Sequence, residues 1–376
     1  MSNQCTDSMI RFTPAVFAAH DEYQIMVLVN SPCLMWVKVG NECFYDDSCG
    51  ILRSETDVHR MCVPSSLLDK EKKYTVCYRK MTERLAYYSK TEDVVETEFE
   101  FRPVQDGKMN TYLIADAHNM VKPCVDAAKE FEKQYGSLDF LILGGDIPND
   151  SSCTDNFENI YDIISFVTGG NIPTVFAKGN HDMRGICADR LEDYIPIENG
   201  VSYYSFRLGS MWGLVLDCGE DKNDDFDSYG NTICCHAFRR KQTQFIKNII
   251  ANAEKEYNAP DVKNKVVFCH VNFTMQSQEP FNIEEDLYKE WTSMLNEHIK
   301  PDIMICGHDH KQKFIDSGKS EGDLCPHDFP IVVGSAPNTK EEYYAGAGFV
   351  IENDKITAVF NDNKCIKNER TEVKFR

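Results

Sequence analysis

Residues 111–118 read TYLIADAH and residues 140–149 read FLILGGDIPN. In both, an apolar run of strand length stops on a carboxylate, and in the first a histidine follows two places on. The pattern recurs at 174–182 (TVFAKGNHD), 266–270 (VVFCH) and 303–310 (IMICGHDH). Short continuous apolar runs of this kind predict parallel strands buried on both faces. Ligands of such sheets gather beyond the carboxyl ends of the strands, where Asp116, Asp146, Asn180, His270 and His308 all fall. Carboxylate, amide and imidazole groups suit divalent transition metals. Seven of them at separate strand ends (Asp116, His118, Asp146, Asn180, His270, His308 and His310) are what a two-metal hydrolytic site requires.

Working outward, apolar runs at 214–216 and 331–333 continue the series. Segments with apolar residues at three-to-four spacing lie between the strands, at 121–135, 237–253 and 283–299. Strands alternating with helices predict an α/β domain. Residues 1–106 differ. The runs 24–30 (QIMVLVN), 34–39 (LMWVKV), 74–79 (YTVCYR) and 95–101 (VETEFEF) are β-branched or aromatic and broken by turn-prone stretches. Tyr74, Val76 and Tyr78 alternate with Thr75, Cys77 and Arg79, as in a strand with one buried face. This predicts an all-β sandwich over 1–106, with Trp36 as a core anchor. The polar stretch 103–110 (PVQDGKMN) reads as the linker to a second domain over 107–376. The acidic strip 220–229 (EDKNDDFDSY), with 230–236, is an insertion expected to form a solvated surface loop, with an edge of the active site as the alternative.

The bulk numbers narrow the function classes. A net charge of −20 and a pI near 4.9 repel nucleic-acid backbones and anionic membranes. A small phosphate ester remains compatible if bound cations reverse the local field. The 16 cysteines contain no C-x-x-C pair, and several lie inside strand-like runs. That pattern predicts buried free thiols in a reducing cytoplasm rather than a disulfide framework. The opening MSNQCTDSMIRFTP lacks a basic segment followed by an apolar one, so no secretory leader is expected, and no apolar run is long enough to span a membrane.

The five blocks, in order, resemble the calcineurin-like metallophosphoesterase superfamily, whose pattern is D-x-H, G-D-x-x-[D/N], G-N-H-[D/E], H and G-H-x-H. Any one block has a bland reading, Asp116 as a helix cap or His270 as a satisfied core histidine. Five in matching order, each after a strand, do not. The resemblance implies a sandwich of two mixed β-sheets flanked by helices. It implies two divalent transition-metal ions (Mn, Fe, Zn, Co or Ni). Asp116, His118, Asp146 and His310 would hold one, and Asp146, Asn180, His270 and His308 the other, with Asp146 bridging. The implied activity is hydrolysis of a phosphomonoester or phosphodiester by a metal-bridging hydroxide, with Asp146 and His181 as the catalytic pair and His181 as general acid. Two divalent ions, offset by Asp116, Asp146 and the hydroxide, leave a small positive charge that attracts phosphate.

Departures from related groups narrow this further. The N-terminal β-sandwich resembles that of purple acid phosphatases, and the six-residue spacing of Leu68 and Tyr74 resembles the tyrosine corner of fibronectin type III domains. Purple acid phosphatases carry D-x-G and a tyrosine ligand where this chain has His118 and Asn149. One imidazole replaces one phenolate, so no purple charge-transfer band is expected. Phosphoprotein phosphatases place an arginine before G-N-H-E and an acidic residue where Asn149 stands. Here Lys178 precedes Gly179, and Asp150 or Asp182 would have to orient His181. Arg184 and Lys178 read as structural rather than as phosphate contacts. His236 and His327 read as surface residues, and Tyr343 and Tyr344 as packing or ring-stacking groups. Two alternatives remain. An exonuclease-like member is opposed by the acidic surface. A silent binding protein on the same fold is opposed by the complete ligand set.

Overall fold

A computed structural model describes residues 9–320, 322–352, 355–364 and 372–375; the first part of the opening stretch read for a leader lies outside them. In the N-terminal region the strands are β1 (Ala15–Ala19), β2 (Glu22–Leu28), β3 (Cys33–Val39), β4 (Glu42–Tyr45), β5 (Asp47–Ser48), β6 (Ile51–Leu52) and β7 (Val58–Pro64). A short helix α1 (Ser65–Glu71) leads into β8 (Lys73–Leu85), β9 (Tyr88–Thr91) and β10 (Val95–Glu100). The region is all-β apart from that helix. Strands β10, β8, β3 and β4 form one antiparallel sheet, and its inward face packs on β2 and β7 through Met35, Val37, Tyr74 and Val76.

The second region opens with β11 (Met109–Ile114), α2 (Val121–Tyr135), β12 (Phe140–Leu143), α3 (Glu158–Thr168) and β13 (Thr174–Phe176). It continues through β14 (Tyr204–Leu208), β15 (Met211–Leu216), α4 (Cys235–Ala251), β16 (Asn264–Cys269), α5 (Glu285–Met294) and β17 (Ile303–Cys306). It ends with β18 (Lys311–Ile315), β19 (Ile331–Asn338), β20 (Tyr343–Glu352), β21 (Lys355–Asp362) and β22 (Glu372–Phe375). Parallel β11–β12–β13, with antiparallel β20–β21–β22, make one layer; parallel β15–β16–β17–β19, edged by β14 and β18, make the other. Strand β19 serves both layers, because its last residues pair with β20 at Ala336–Ala345.

Period-two alternation sorts the strand residues between cores. Leu113, Phe140 and Ile142 face Val266, Phe268 and Ile305 between the sheets. Tyr112, Ile114, Leu141 and Leu143 face α2 and α3 on one outside, and Val267, Cys269, Met304 and Cys306 face α4 and α5 on the other. Strands β11, β12, β13, β15 and β17 are buried along their whole length, which is why these runs carry no polar alternation. Among the described residues no helix is long and apolar enough to cross a membrane, and every cysteine is a free thiol.

Several expectations are corrected. Trp36 is not a core anchor: Cys33, Met35, Val37 and Val39 take the buried face of β3, and Trp36 lies on the outer face beside Tyr45. The Tyr74 hydroxyl does not close a local corner but donates to the Gly170 carbonyl at 2.9 Å, tying the N-terminal region to the loop before β13. Within 103–110, Val104 and Met109 are buried. His327 is fully buried, with Nδ1 bonded to the Phe329 carbonyl, whereas His236 is exposed as expected.

The two regions share a sheet. Strand β1 pairs in parallel with β13, so β1, β2 and β7 extend the β11–β12–β13 layer and cover an edge that would otherwise be open. Phe17, fully buried on β1, packs edge-on against Phe176 of β13. Phe17→Ala should lower unfolding stability by about 3–5 kcal/mol through the cavity it leaves. Chemical denaturation reads this directly, and an unchanged midpoint would show that the seam contributes little.

Candidate metal centre

Each ligand-type residue stands where a parallel strand runs out of hydrogen-bond partners. Asp116 and His118 follow β11, Asp146 follows β12, Asn180 follows β13, His270 follows β16, and His308 and His310 follow β17. Five of the seven (Asp116, His118, Asp146, His308 and His310) have positive φ, between 45° and 71°. Non-glycine residues rarely hold this conformation, and it collects at functional sites where the surroundings enforce it. The turns are packed so tightly that some positions admit only glycine. A Cβ on Gly179 would lie 2.2 Å from Asp146 Oδ1, and one on Gly145 would lie 2.5 Å from the Gly179 nitrogen.

All seven residues converge. Asp116, His118 and His310 present ligand atoms within 4.8 Å of one another, and so do Asp146, His270 and His308. The Nε2 atoms of His118 and His310 face each other at 3.0 Å. Asp116 Oδ1 is 3.4 Å from His310 Nε2 and 3.8 Å from His270 Nε2, and Asp146 Oδ2 is 3.2 Å from His270 Nε2. Asn180 Oδ1 meets His308 Nδ1 at 3.0 Å. Asp146 also belongs to a third group, with His118 and His181. Through His118 that third group overlaps the first.

The donor set fits cations. Asp116 Oδ1 and His270 Nε2 are buried and make no hydrogen bond; the 3.2 Å approach to Asp146 lacks hydrogen-bond geometry. Two buried acceptors 3.8 Å apart, with no donor to either, are a costly arrangement unless a cation satisfies them. The outer atoms of the same groups are fully occupied. Ser335 donates to Asp116 Oδ2, which also accepts the His308 N–H at 2.9 Å. His270 Nδ1 donates to the Gly144 carbonyl at 2.6 Å, which leaves the Nε2 lone pair for the centre.

Electrostatics follow from burial set against proximity. Burial pushes the His118 imidazole down to about 4 despite Asp146 and Asp116 nearby. His270 is also penalised by burial, yet Asp146 and then Asp116 lift it to about 10. Burial would raise Asp146, but His270 and then His181 hold it below the usual carboxylate range. A buried carboxylate pair thus draws compensating positive charge from whatever lies closest.

His181 lies against the cluster, its ring 4.7 Å from that of His118. Its Nδ1 donates to the backbone carbonyl of Asn149 at 2.8 Å. The expectation for its orientation is therefore corrected: neither the Asn149 side chain nor Asp150 or Asp182 holds the ring. Asp150 accepts from Ser152 and Asn156. Asp182 accepts the N–H groups of Gly179, at 2.7 Å, and Asp146, at 3.1 Å, clamping two ligand turns together, and burial and then Asp146 push it up to about 7. Lys178 is structural, paired with buried Asp217 at 2.9 Å. Tyr344 is buried and brackets Ala115, accepting its N–H at 3.0 Å and donating to its carbonyl at 2.9 Å, which sets the turn carrying Asp116. Ser335 and Tyr344 escaped the reading of the sequence because both come from late strands with no metal-ligand motif. Cys269 and Cys306 point into the helix-side core, away from the cluster.

The 220–229 strip is not simply solvated. Glu220 is buried, and with Asp221 it grips Arg184. Both acids line a cavity of about 430 Å³ that also touches Phe273, Met275, Phe281 and His308, so the cluster opens onto a space of small-molecule size.

Comparison with known proteins agrees with this geometry. The family model for calcineurin-like phosphoesterases matches residues 109–312. A serine/threonine-protein phosphatase CPPED1 of Pongo abelii is 23% identical over 267 residues, covering 64% of this chain and 81% of that protein. Its Homo sapiens counterpart is 24% identical over 226 residues, covering 55% and 67%. Among solved structures, the purple acid phosphatase PPD1 from yellow lupin (Lupinus luteus) superposes with a TM-score of 0.60 at 12% identity. The match covers 96% of this chain and 73% of that one, a likeness of fold across both regions. With the family match spanning more than half of its length and the five ligand turns meeting at one point, the chain belongs to the calcineurin-like phosphoesterases, hydrolases of phosphoric ester bonds.

Proposed function

We propose that this protein hydrolyses a small phosphomonoester or phosphodiester at a dinuclear centre. Asp116, His118 and His310 would hold one divalent transition-metal ion, Asn180, His270 and His308 the other, and Asp146 would be shared. The observation that carries this reading is the convergence of all seven side chains, with Asp116 Oδ1 and His270 Nε2 buried and unpartnered. The mixed oxygen and nitrogen set accepts Mn, Fe, Co, Ni or Zn. Cations bound there would supply Lewis acidity to the phosphoryl group and acidify the attacking water. The chain's own residues supply the rest. Ser335 and the His308 N–H orient Asp116, Asp182 locks the Asp146 turn to the Asn180 turn, and His181, held through Nδ1, would serve through Nε2 as proton donor to the leaving oxygen.

Two broader features accompany this proposal. The unit boundary is placed at 106/107, supported by the start of the family match at residue 109. The names of the CPPED1 relatives add phosphoserine peptides to the esters worth testing, although the arginine that precedes the G-N-H block in phosphoprotein phosphatases is replaced by Lys178.

Purified protein should carry close to two transition-metal ions and hydrolyse an aryl or bis-aryl phosphate. Chelation should abolish turnover and metal return should restore it; an inert, metal-free protein would sink the proposal. Asp146→Ala should lose metal and turnover together, and full metal content in that variant would remove the shared-ligand role. His181→Ala should keep its metals and slow turnover by about 10²–10⁴ for poor leaving groups and far less for good ones. Equal slowing across a leaving-group series would take His181 out of the proton-donor role.

A further inference from the structure

Arg184 follows the short turn His181–Met183, and its guanidinium is gripped along one edge. Nε and one terminal nitrogen donate to the two oxygens of Glu220, each at 2.8 Å, and that terminal nitrogen also approaches Asp221 at 3.4 Å. The Tyr229 hydroxyl reaches the same two acids, at 2.8 Å to Glu220 and 3.1 Å to Asp221. The 220–229 insertion therefore fixes the arginine fork from one side. The other terminal nitrogen, Nη1, is outside the grip and lies 3.0 Å from His181 Nε2. Because Nδ1 of His181 is already a donor to Asn149, and a guanidinium can only donate, Nε2 is the acceptor in this contact.

Charge makes the arrangement specific. Lys222 is paired with Asp221 at 2.5 Å, so two cations balance two acids and the patch adds no net attraction for anions. It adds direction: a guanidinium fixed on its carboxylate edge presents its free nitrogen to one place, and planar N–H forks match phosphoryl oxygens. That place adjoins the group formed by His118, Asp146 and His181, where a phosphate ester would have to sit. The anchoring acids also line the 430 Å³ cavity, so an ester occupying it touches the arginine's support.

We propose that Arg184 is a phosphate-binding residue of this enzyme and that the 220–229 insertion exists to aim it. On ester binding, Nη1 passes from His181 Nε2 to a non-bridging phosphoryl oxygen, and the lone pair freed on Nε2 takes a proton from solvent, which it then gives to the leaving oxygen. This rests on the phosphoesterase reading above, and it replaces the structural role that the sequence suggested for Arg184.

The test compares metal-loaded wild type with Arg184→Ala, Arg184→Lys and Tyr229→Phe, using an aryl phosphate as substrate and inorganic phosphate as inhibitor, with bound metal measured in each. Losing a charged hydrogen bond should weaken phosphate inhibition and raise KM by about ten- to a hundredfold in Arg184→Ala. Metal content should hold and kcat should stay within a few-fold. Arg184→Lys keeps the charge but cannot span both Glu220 and the ester, so it should fall in between, and Tyr229→Phe should move the same constants by a smaller factor. Unchanged KM and phosphate inhibition in a metal-loaded Arg184→Ala protein would overturn the inference. If that variant fails to fold, unchanged constants in both milder variants overturn it equally. A wild type with metal but no turnover would instead remove the underlying phosphoesterase reading.

Discussion

Burying two carboxylates side by side governs this molecule. Asp116 and Asp146 are almost wholly removed from water, and their inner oxygens lie within 4 Å of imidazole nitrogens. An ionised carboxylate in such a place is destabilising by several kcal/mol unless positive charge and hydrogen bonds compensate it. Imidazoles do part of this, and the centre is poised for cations to do the rest. Acid-rich turns around a buried point would otherwise be among the least stable parts of the fold.

The fold meets that demand by rigidity. Each of the seven converging side chains leaves the end of a strand covered on both faces, so the strand cannot shift without disturbing two cores. The turns are locked to one another by direct contacts: Asp182 to Gly179 and Asp146, the His308 N–H to Asp116, and Gly145 against Gly179. Tyr344 and Ser335 reach in from β20 and β19, the strands through which the two sheets join. The seam of converging turns and the seam between the layers are thus one structure. Left-handed backbone at five of the converging residues is what this convergence requires, at about 1–3 kcal/mol each.

The N-terminal region is bound into the same framework. Strand β1 continues the catalytic sheet beyond β13, and Tyr74 bonds the loop that precedes β13. Since Asn180 and His181 follow β13 directly, the all-β region buttresses the strand that carries them. The 220–229 insertion does comparable work from the opposite side, where its acids position Arg184 beside His181.

Much of the site was legible from local signals. An apolar run ending on Asp, Asn or His has one physical reading in a sheet buried on both faces, because only the strand end escapes the core. The strand cores at 140–143 and 303–306 and the helix at 121–135 therefore match their observed bounds. Trp36, Tyr74, His327, Arg184 and the orientation of His181 were not legible. Each depends on which distant segment lies opposite, and neither period nor composition carries that information. Sequence alone determined the donor types, their order and their place at strand ends, since those follow from backbone periodicity and side-chain chemistry. Tertiary structure alone decided how the two carboxylates sit among the imidazoles, which backbone carbonyl holds His181, and that an acidic insertion folds back to grip an arginine. These are contacts between residues far apart in the chain, and only packing brings them together.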